Sequence, residues 1–136
     1  TSGQDLKEIG LVASNSGIEV TLSKAGLVDD YYGPYYEADI SVKNNNLDKK
    51  DVDITDVTLI TNGKQYNADY YSSDLYIGNI YPGASVDRII TFYDVQKTGD
   101  SATIYLTLTV YESGSYDYYG YYNSPQILEY KFDFSP

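Results

Sequence analysis

Three kinds of side chain in this sequence could do chemistry. Carboxylates come first: Asp48, Asp51, Asp53 and Asp56 fall within one short stretch, and Asp29, Asp30, Glu37 and Asp39 flank a tyrosine-rich segment. Clustered oxygens suit Ca2+, a hard cation that takes about six to eight of them. The spacing is not that of an EF-hand, because Asp51-x-Asp53 is followed by neither the third ligand nor the glycine. Solvated turn aspartates are the plainer explanation, so calcium is the one cofactor to consider and none is required. The second kind is the nucleophile or base. With no His and no Cys, imidazole bases and thiolate nucleophiles are excluded, as are transition-metal sites built on them. The G-x-S-x-G, P-loop and G-x-G-x-x-G patterns are absent. A Ser–Lys pair or a carboxylate pair of the glycosidase type survives. Either needs long enclosing loops, for which only 29–36, 70–81 and 113–125 are candidates. Covalent catalysis is not expected.

Tyrosine is the third kind and the most specific. There are 18. Tyr31, Tyr32, Tyr35 and Tyr36 surround Gly33-Pro34, and Tyr116, Tyr118, Tyr119, Tyr121 and Tyr122 surround Gly120 in a similar arrangement; Tyr70-Tyr71 is a third pair. Adjacent residues on a strand point to opposite faces, so such a pair cannot lie wholly in a core. Phenols combine large contact area with a wet hydroxyl and low entropy cost, which suits interfaces. Contact with copies of the same chain is the expected use, with stacking on a glycan or another surface protein as the alternative.

The elements that must position these residues are strands. Ile18, Val20 and Leu22 alternate with Glu19, Thr21 and Ser23, and Ala38, Ile40 and Val42 with Asp39, Ser41 and Lys43. Val52 and Ile54 have one parity and Val57 and Leu59 the other, which predicts a bulge at Thr55-Asp56. Asn62-Gly63 predicts a two-residue hairpin, and Pro82-Gly83 another turn. Ile104, Leu106, Leu108 and Val110 form the cleanest inward row, and Leu128, Tyr130, Phe132 and Phe134 the last. Seven to nine one-sided strands predict an all-β, immunoglobulin-like antiparallel β-sandwich over residues 18–136, a closed barrel being the alternative. Residues 1–17 read as an N-terminal extension. Ile9, Leu11 and Ala13 make it an edge strand, or a donor strand that pairs with the sheet edge of a neighbouring copy.

Charge restricts the partners. Net charge is -11 with only nine basic residues, so nucleic acid and anionic lipid would be repelled. No apolar run reaches the ~20 residues of a membrane span. Fifteen of the twenty acidic residues are Asp, a residue of turns and strand ends. A start at Thr1-Ser2-Gly3 without Met fits cleavage of a secretion leader. Absent Met and Cys leave no readily oxidised sulfur.

The segments Ile40-Ser41-Val42-Lys43-Asn44-Asn45, Val57-Thr58-Leu59-Ile60, Asn62-Gly63-Lys64-Gln65-Tyr66 and Ile80-Tyr81-Pro82-Gly83-Ala84-Ser85-Val86 carry a resemblance. Together they resemble a family of extracellular immunoglobulin-like domains of unknown function in bacterial and archaeal surface proteins and lipoproteins. The resemblance implies a β-sandwich outside the membrane and no shared catalytic residues. This chain departs from the lipoprotein pattern in having no N-terminal Cys, and its tyrosine enrichment is not a family feature. The expectation is therefore a non-enzymatic, extracellular structural protein that self-assembles into a filament or layer through strand edges and tyrosine-rich loops.

Overall fold

A computed structural model describes residues 6–112 and 125–136. Nine strands make up the described fold: β1 (Lys7–Asn15), β2 (Ile18–Asp30), β3 (Gly33–Asn44), β4 (Lys50–Thr61), β5 (Lys64–Asn67), β6 (Tyr76–Ile80), β7 (Ser85–Tyr93), β8 (Ala102–Glu112) and β9 (Gln126–Phe134). All pair antiparallel. One sheet has the order β1-β2-β3-β7; the other runs β5-β4-β8-β9, with β6 also paired to β4. Two open sheets face each other, so the architecture is a β-sandwich and not a barrel.

Backbone sterics explain the turns. Asn62 and Gly63 have φ of 52° and 72°, the positive values that a two-residue hairpin requires and that Asn and Gly tolerate. Ser16 and Gly17 make a second such turn with φ of 52° and 78°. A Cβ on Gly17 would stand 2.5 Å from Asn46 Oδ1 and displace that side chain, and the left-handed φ itself favours glycine. Gly83 follows Pro82 at φ 79°, and the Ala84 amide donates to the Tyr81 carbonyl at 3.0 Å. The β4 register slips between Ile54 and Asp56, which keeps Val52, Ile54, Val57 and Leu59 all facing inward.

Two features differ from expectation. Residues 29–36 are not a loop: β2 and β3 run through them and turn at Tyr31-Tyr32. Tyrosine favours strands, so the turn shrinks to the tip. A second slip, between Leu22 and Lys24, changes the inward row of β2 from Ile18, Val20 and Leu22 to Ala25.

The inward rows of both sheets form one core that includes Leu22, Ile40, Leu59, Ile104, Leu106 and Phe132. Ile9, Leu11 and Ala13 of β1 are partly buried and pack against it. β1 thus forms the outer strand of its own sheet, paired to β2 from Lys7↔Ala25 to Asn15↔Ile18. Lending it to another copy would require those contacts to be given up. Polar ties cross between the sheets. The Tyr130 hydroxyl donates to the Ile18 carbonyl at 2.7 Å. Asn44, fully buried, donates through Nδ2 to the carbonyls of Asp48 and Ile80 at 2.8 and 2.9 Å and accepts the Asn46 amide on Oδ1 at 2.9 Å.

The sandwich has two poles. At the first lie the β2–β3 and β4–β5 turns and both outer strand ends, where Lys7 Nζ donates to the Ser135 carbonyl at 3.1 Å. At the second lie the β1–β2 and β6–β7 turns, the 45–49 connection, and the strand ends Glu112 and Gln126.

Candidate functional site

The tyrosines divide by position. Tyr31 and Tyr32 cap the first pole, 94% and 88% exposed, with ring centroids 5.3 Å apart and planes at 85°. The Tyr32 amide donates to Asp30 Oδ1 at 2.9 Å, fixing the turn. Behind them Tyr35, half-buried, meets Tyr93 edge to face at 5.8 Å. Tyr70 and Tyr71 are exposed on the segment between β5 and β6 and Tyr76 at the start of β6, while Tyr81 and Leu47, the latter 95% exposed, are both exposed at the second pole. Lys49 Nζ sits over the Tyr81 ring, 5.4 Å from its centroid. The loop expected to carry Tyr116, Tyr118, Tyr119, Tyr121 and Tyr122 lies outside the described residues.

Tyr36 is a correction. Expected on the contact surface, it is 1% exposed and belongs to the core. The signal was present: Tyr36 shares the parity of Ala38, Ile40 and Val42, the inward row of β3. Its hydroxyl finds no hydrogen-bond partner among the described residues, and burial pushes its pKa up to about 12. A buried unsatisfied hydroxyl costs about 1–3 kcal/mol. Tyr36→Phe should therefore raise stability by about 1 kcal/mol in urea unfolding, and a loss instead would mean the hydroxyl is bonded.

The carboxylates are not gathered for calcium. Asp51 and Asp56, both on β4, are separated by about 16 Å at the strand rise per residue, too far to share one ion. Asp51 and Asp53 lie on one face of β4. Burial, then the Asp53 charge, raises the Asp51 pKa, and Asp53 Oδ1 accepts the Ile77 amide at 3.4 Å. Among the described residues no three acidic groups come together in a geometry that could hold a metal ion.

Glu37 and Asp39, from the second group of carboxylates singled out in the sequence, belong to a polar cluster on the outer face of the β1-β2-β3-β7 sheet whose other members the sequence did not reveal. Glu37 is 9% exposed and stands opposite Gly26 on β2 and Thr91 on β7. Burial, then the hydrogen bond that the protonated Glu37 carboxyl donates to the neighbouring Asp39 carboxylate and the charge of Asp39, raises the Glu37 pKa to about 7. One Asp39 oxygen is buried and finds no hydrogen-bond partner among the described residues. The 69–74 segment closes this cluster. The Asp69 amide donates to the Thr91 carbonyl at 2.9 Å, the Thr91 amide donates to Ser73 Oγ at 2.9 Å, and Ser72 Oγ contacts Thr91 Oγ1. Beside it an open groove of about 760 Å3 is lined by Asp39, Asp74, Asp87, Ser23, Ser41 and Ser72. The only hint in the sequence was the carboxyl pair two apart on one strand.

Strand edges are unevenly guarded. The same 69–74 segment occupies the outer edge of β7 at Thr91. Arg88 covers more of it, donating from Nε and a terminal nitrogen to the Tyr76 carbonyl at 3.2 and 3.1 Å and pairing with Asp74 at 3.5 Å. β1 and β9 face each other across the opposite side, bridged by Lys7–Ser135 and by Asn15 Nδ2 donating to the Glu129 carbonyl at 3.5 Å. An edge covered in this way is a poor template for a further strand.

No protein-family model matches this chain, and no curated protein matches it. Solved structures do. A functionally unknown protein from Listeria monocytogenes is similar over 96% of this chain and 88% of its own, with a TM-score of 0.56 and 16% identity. A "putative lipoprotein (ycdA)" from Bacillus subtilis is similar over 93% of this chain and 39% of its own, with a TM-score of 0.51 and 18% identity. At such identities the likeness is one of fold.

Proposed function

We propose that this domain is a non-enzymatic extracellular structural module that assembles with copies of itself, pole to pole, into a filament or layer. The observation that carries this is the pair of unlike apolar features at opposite ends of one sandwich. Tyr31 and Tyr32 stand at the first pole, Leu47 and Tyr81 at the second. A contact between unlike surfaces does not close on itself and propagates into an open chain unless rotation brings it into a ring. Tyrosine rings are what the centre of such a contact uses, and an exposed leucine adds apolar area to it. Guarded edges favour the poles over strand addition as the route. An extracellular setting is supported by the Bacillus subtilis neighbour, whose name carries the word lipoprotein.

The test is a mixing experiment followed by sedimentation in low salt and at about 0.15 M, where screening shortens the repulsion of a -11 chain to roughly 8 Å. A Tyr31→Ser/Tyr32→Ser chain and a Leu47→Asp/Tyr81→Ser chain should each remain monomeric, while their mixture should stop at dimers. Long polymers from either variant alone would reject polar assembly. A second function rests on the outer-face groove, whose carboxylates and serine hydroxyls suit a hydroxyl-rich ligand such as a glycan. A wild-type chain that is monomeric at high concentration and binds glycan would favour it.

A further inference from the structure

We infer that the Tyr31–Tyr32 tip is a site of oxidative phenol coupling, at which hydrogen peroxide and a one-electron oxidant of the haem-peroxidase class join two copies of this chain through a dityrosine bond. The partner is a second copy on the strength of the self-assembly proposed above.

Composition removes the usual competitors. Thiols repair tyrosyl radicals by hydrogen donation, thioethers consume peroxide, and indoles exchange electrons with phenoxyl radicals. The sequence has no Cys, no Met, no Trp and no His, against 18 tyrosines. An oxidising equivalent delivered to this surface therefore settles on tyrosine and stays there.

Among the described residues, ring contact then favours one place. Tyr31 and Tyr32 are nearly fully exposed and in ring contact at 5.3 Å, so a radical formed on one ring is shared with the other and either can present its reactive ortho carbon. The exposed carboxylates of Asp29 and Asp30 at the base of the tip are local acceptors for the phenol proton lost with the electron. Coupling within the pair is disfavoured because the rings stand at 85°. One offers its face, whereas an ortho–ortho bond needs two ring edges to meet. The second ring must come from another copy.

The step balances. Two phenols each lose one electron and one proton to the peroxidase cycle, a carbon–carbon bond forms between the ortho carbons of the two phenoxyl radicals, and each ring regains its phenol by moving the ortho hydrogen to oxygen. Two tyrosines and one peroxide give one dityrosine and two waters.

The experiment treats the full chain with peroxidase and limiting peroxide, then reads dityrosine fluorescence, dimers that survive denaturing gels, and the cross-linked peptides by mass spectrometry. Tyr31→Phe/Tyr32→Phe should lose most of the resistant dimer, while Tyr70→Phe/Tyr71→Phe should keep most of it. Phenylalanine preserves the ring, and a thermal melt confirms that both variants fold. Undiminished coupling in the first variant, an equal loss in the second, or cross-linked peptides drawn only from residues 116–122 would overturn the assignment. Sedimentation before oxidation is the separate readout. A chain that is monomeric there and still couples at Tyr31 or Tyr32 would refute self-assembly while leaving the coupling site intact.

Discussion

Replacing Asn44 with alanine should lower the stability of the sandwich by about 3–4 kcal/mol, since it strips partners from buried groups at about 1–3 kcal/mol each. Its Nδ2 serves the carbonyls of Asp48 and Ile80, and its Oδ1 the Asn46 amide. The Asn44 backbone adds two bonds that the substitution keeps, donating to the Ala84 carbonyl at 3.0 Å and accepting from the Gly83 amide at 2.7 Å. The side chain therefore fastens the end of β3 to the end of β6 and so couples the two sheets at the second pole. Asn44→Asp is the sharper control. It retains the acceptor but sets a carboxylate against two carbonyl oxygens, so it should not rescue. For a chain of this size each kcal/mol moves Tm by roughly 4 °C, and the loss should be plain in a melt. An alanine variant as stable as the parent would mean the sheets are held together elsewhere.

Acid should stabilise this protein. Glu37 carries a pKa of about 7 against an ordinary value of 4.5, so between those two pH values the folded chain holds a proton that the unfolded chain has released. Stability then falls as pH rises through that window. The contribution is complete below about pH 4.5 and gone above about pH 7, and at about 1.4 kcal/mol per pH unit it amounts to at most about 3.5 kcal/mol, reduced by solvent screening on the groove side of the carboxyl. Among the described residues no cation lowers it. Lys24 lies opposite Asp39 on β2 but is exposed, and Arg88 on β7 is engaged by Asp74. Asp69 and Asp74 of the covering segment and Asp87 of β7 add only further negative charge. Glu37→Gln keeps the shape without the charge. It should match the parent at pH 4.5, exceed it at pH 8, and flatten the profile of Tm against pH. The raised Asp51 acts in the same sense and should leave a shallow residual slope. An unchanged slope in the glutamine variant would assign the effect to other groups.

What could be read from the sequence was whatever one residue type enforces locally. Asn62-Gly63 was legible because few other pairs accept two positive φ values, and the Thr55-Asp56 bulge because parity flipped across residues too polar to be core. The Ser23 slip carried no such mark: nothing in Leu22-Ser23-Lys24 announces a bulge, and only packing against the opposite sheet decides it. The tyrosine pairs were legible as a class but not singly. Tyr32 and Tyr36 look alike in their sequence surroundings, yet one caps a pole and the other fills the core, because strand continuity through residues 33–36 was hidden behind a turn-like Gly33-Pro34. The four carboxylates from Asp48 to Asp56 looked close because sequence distance was short. An extended strand spreads the same residues apart.

The Lys7–Ser135 contact has a practical corollary. The described ends of the chain lie toward the pole of Tyr31 and Tyr32, so a label or domain joined through either of them starts from that half of the molecule and not from the Leu47–Tyr81 half. Within a longer polypeptide both tethers would leave this sandwich from one end, and not from opposite ends.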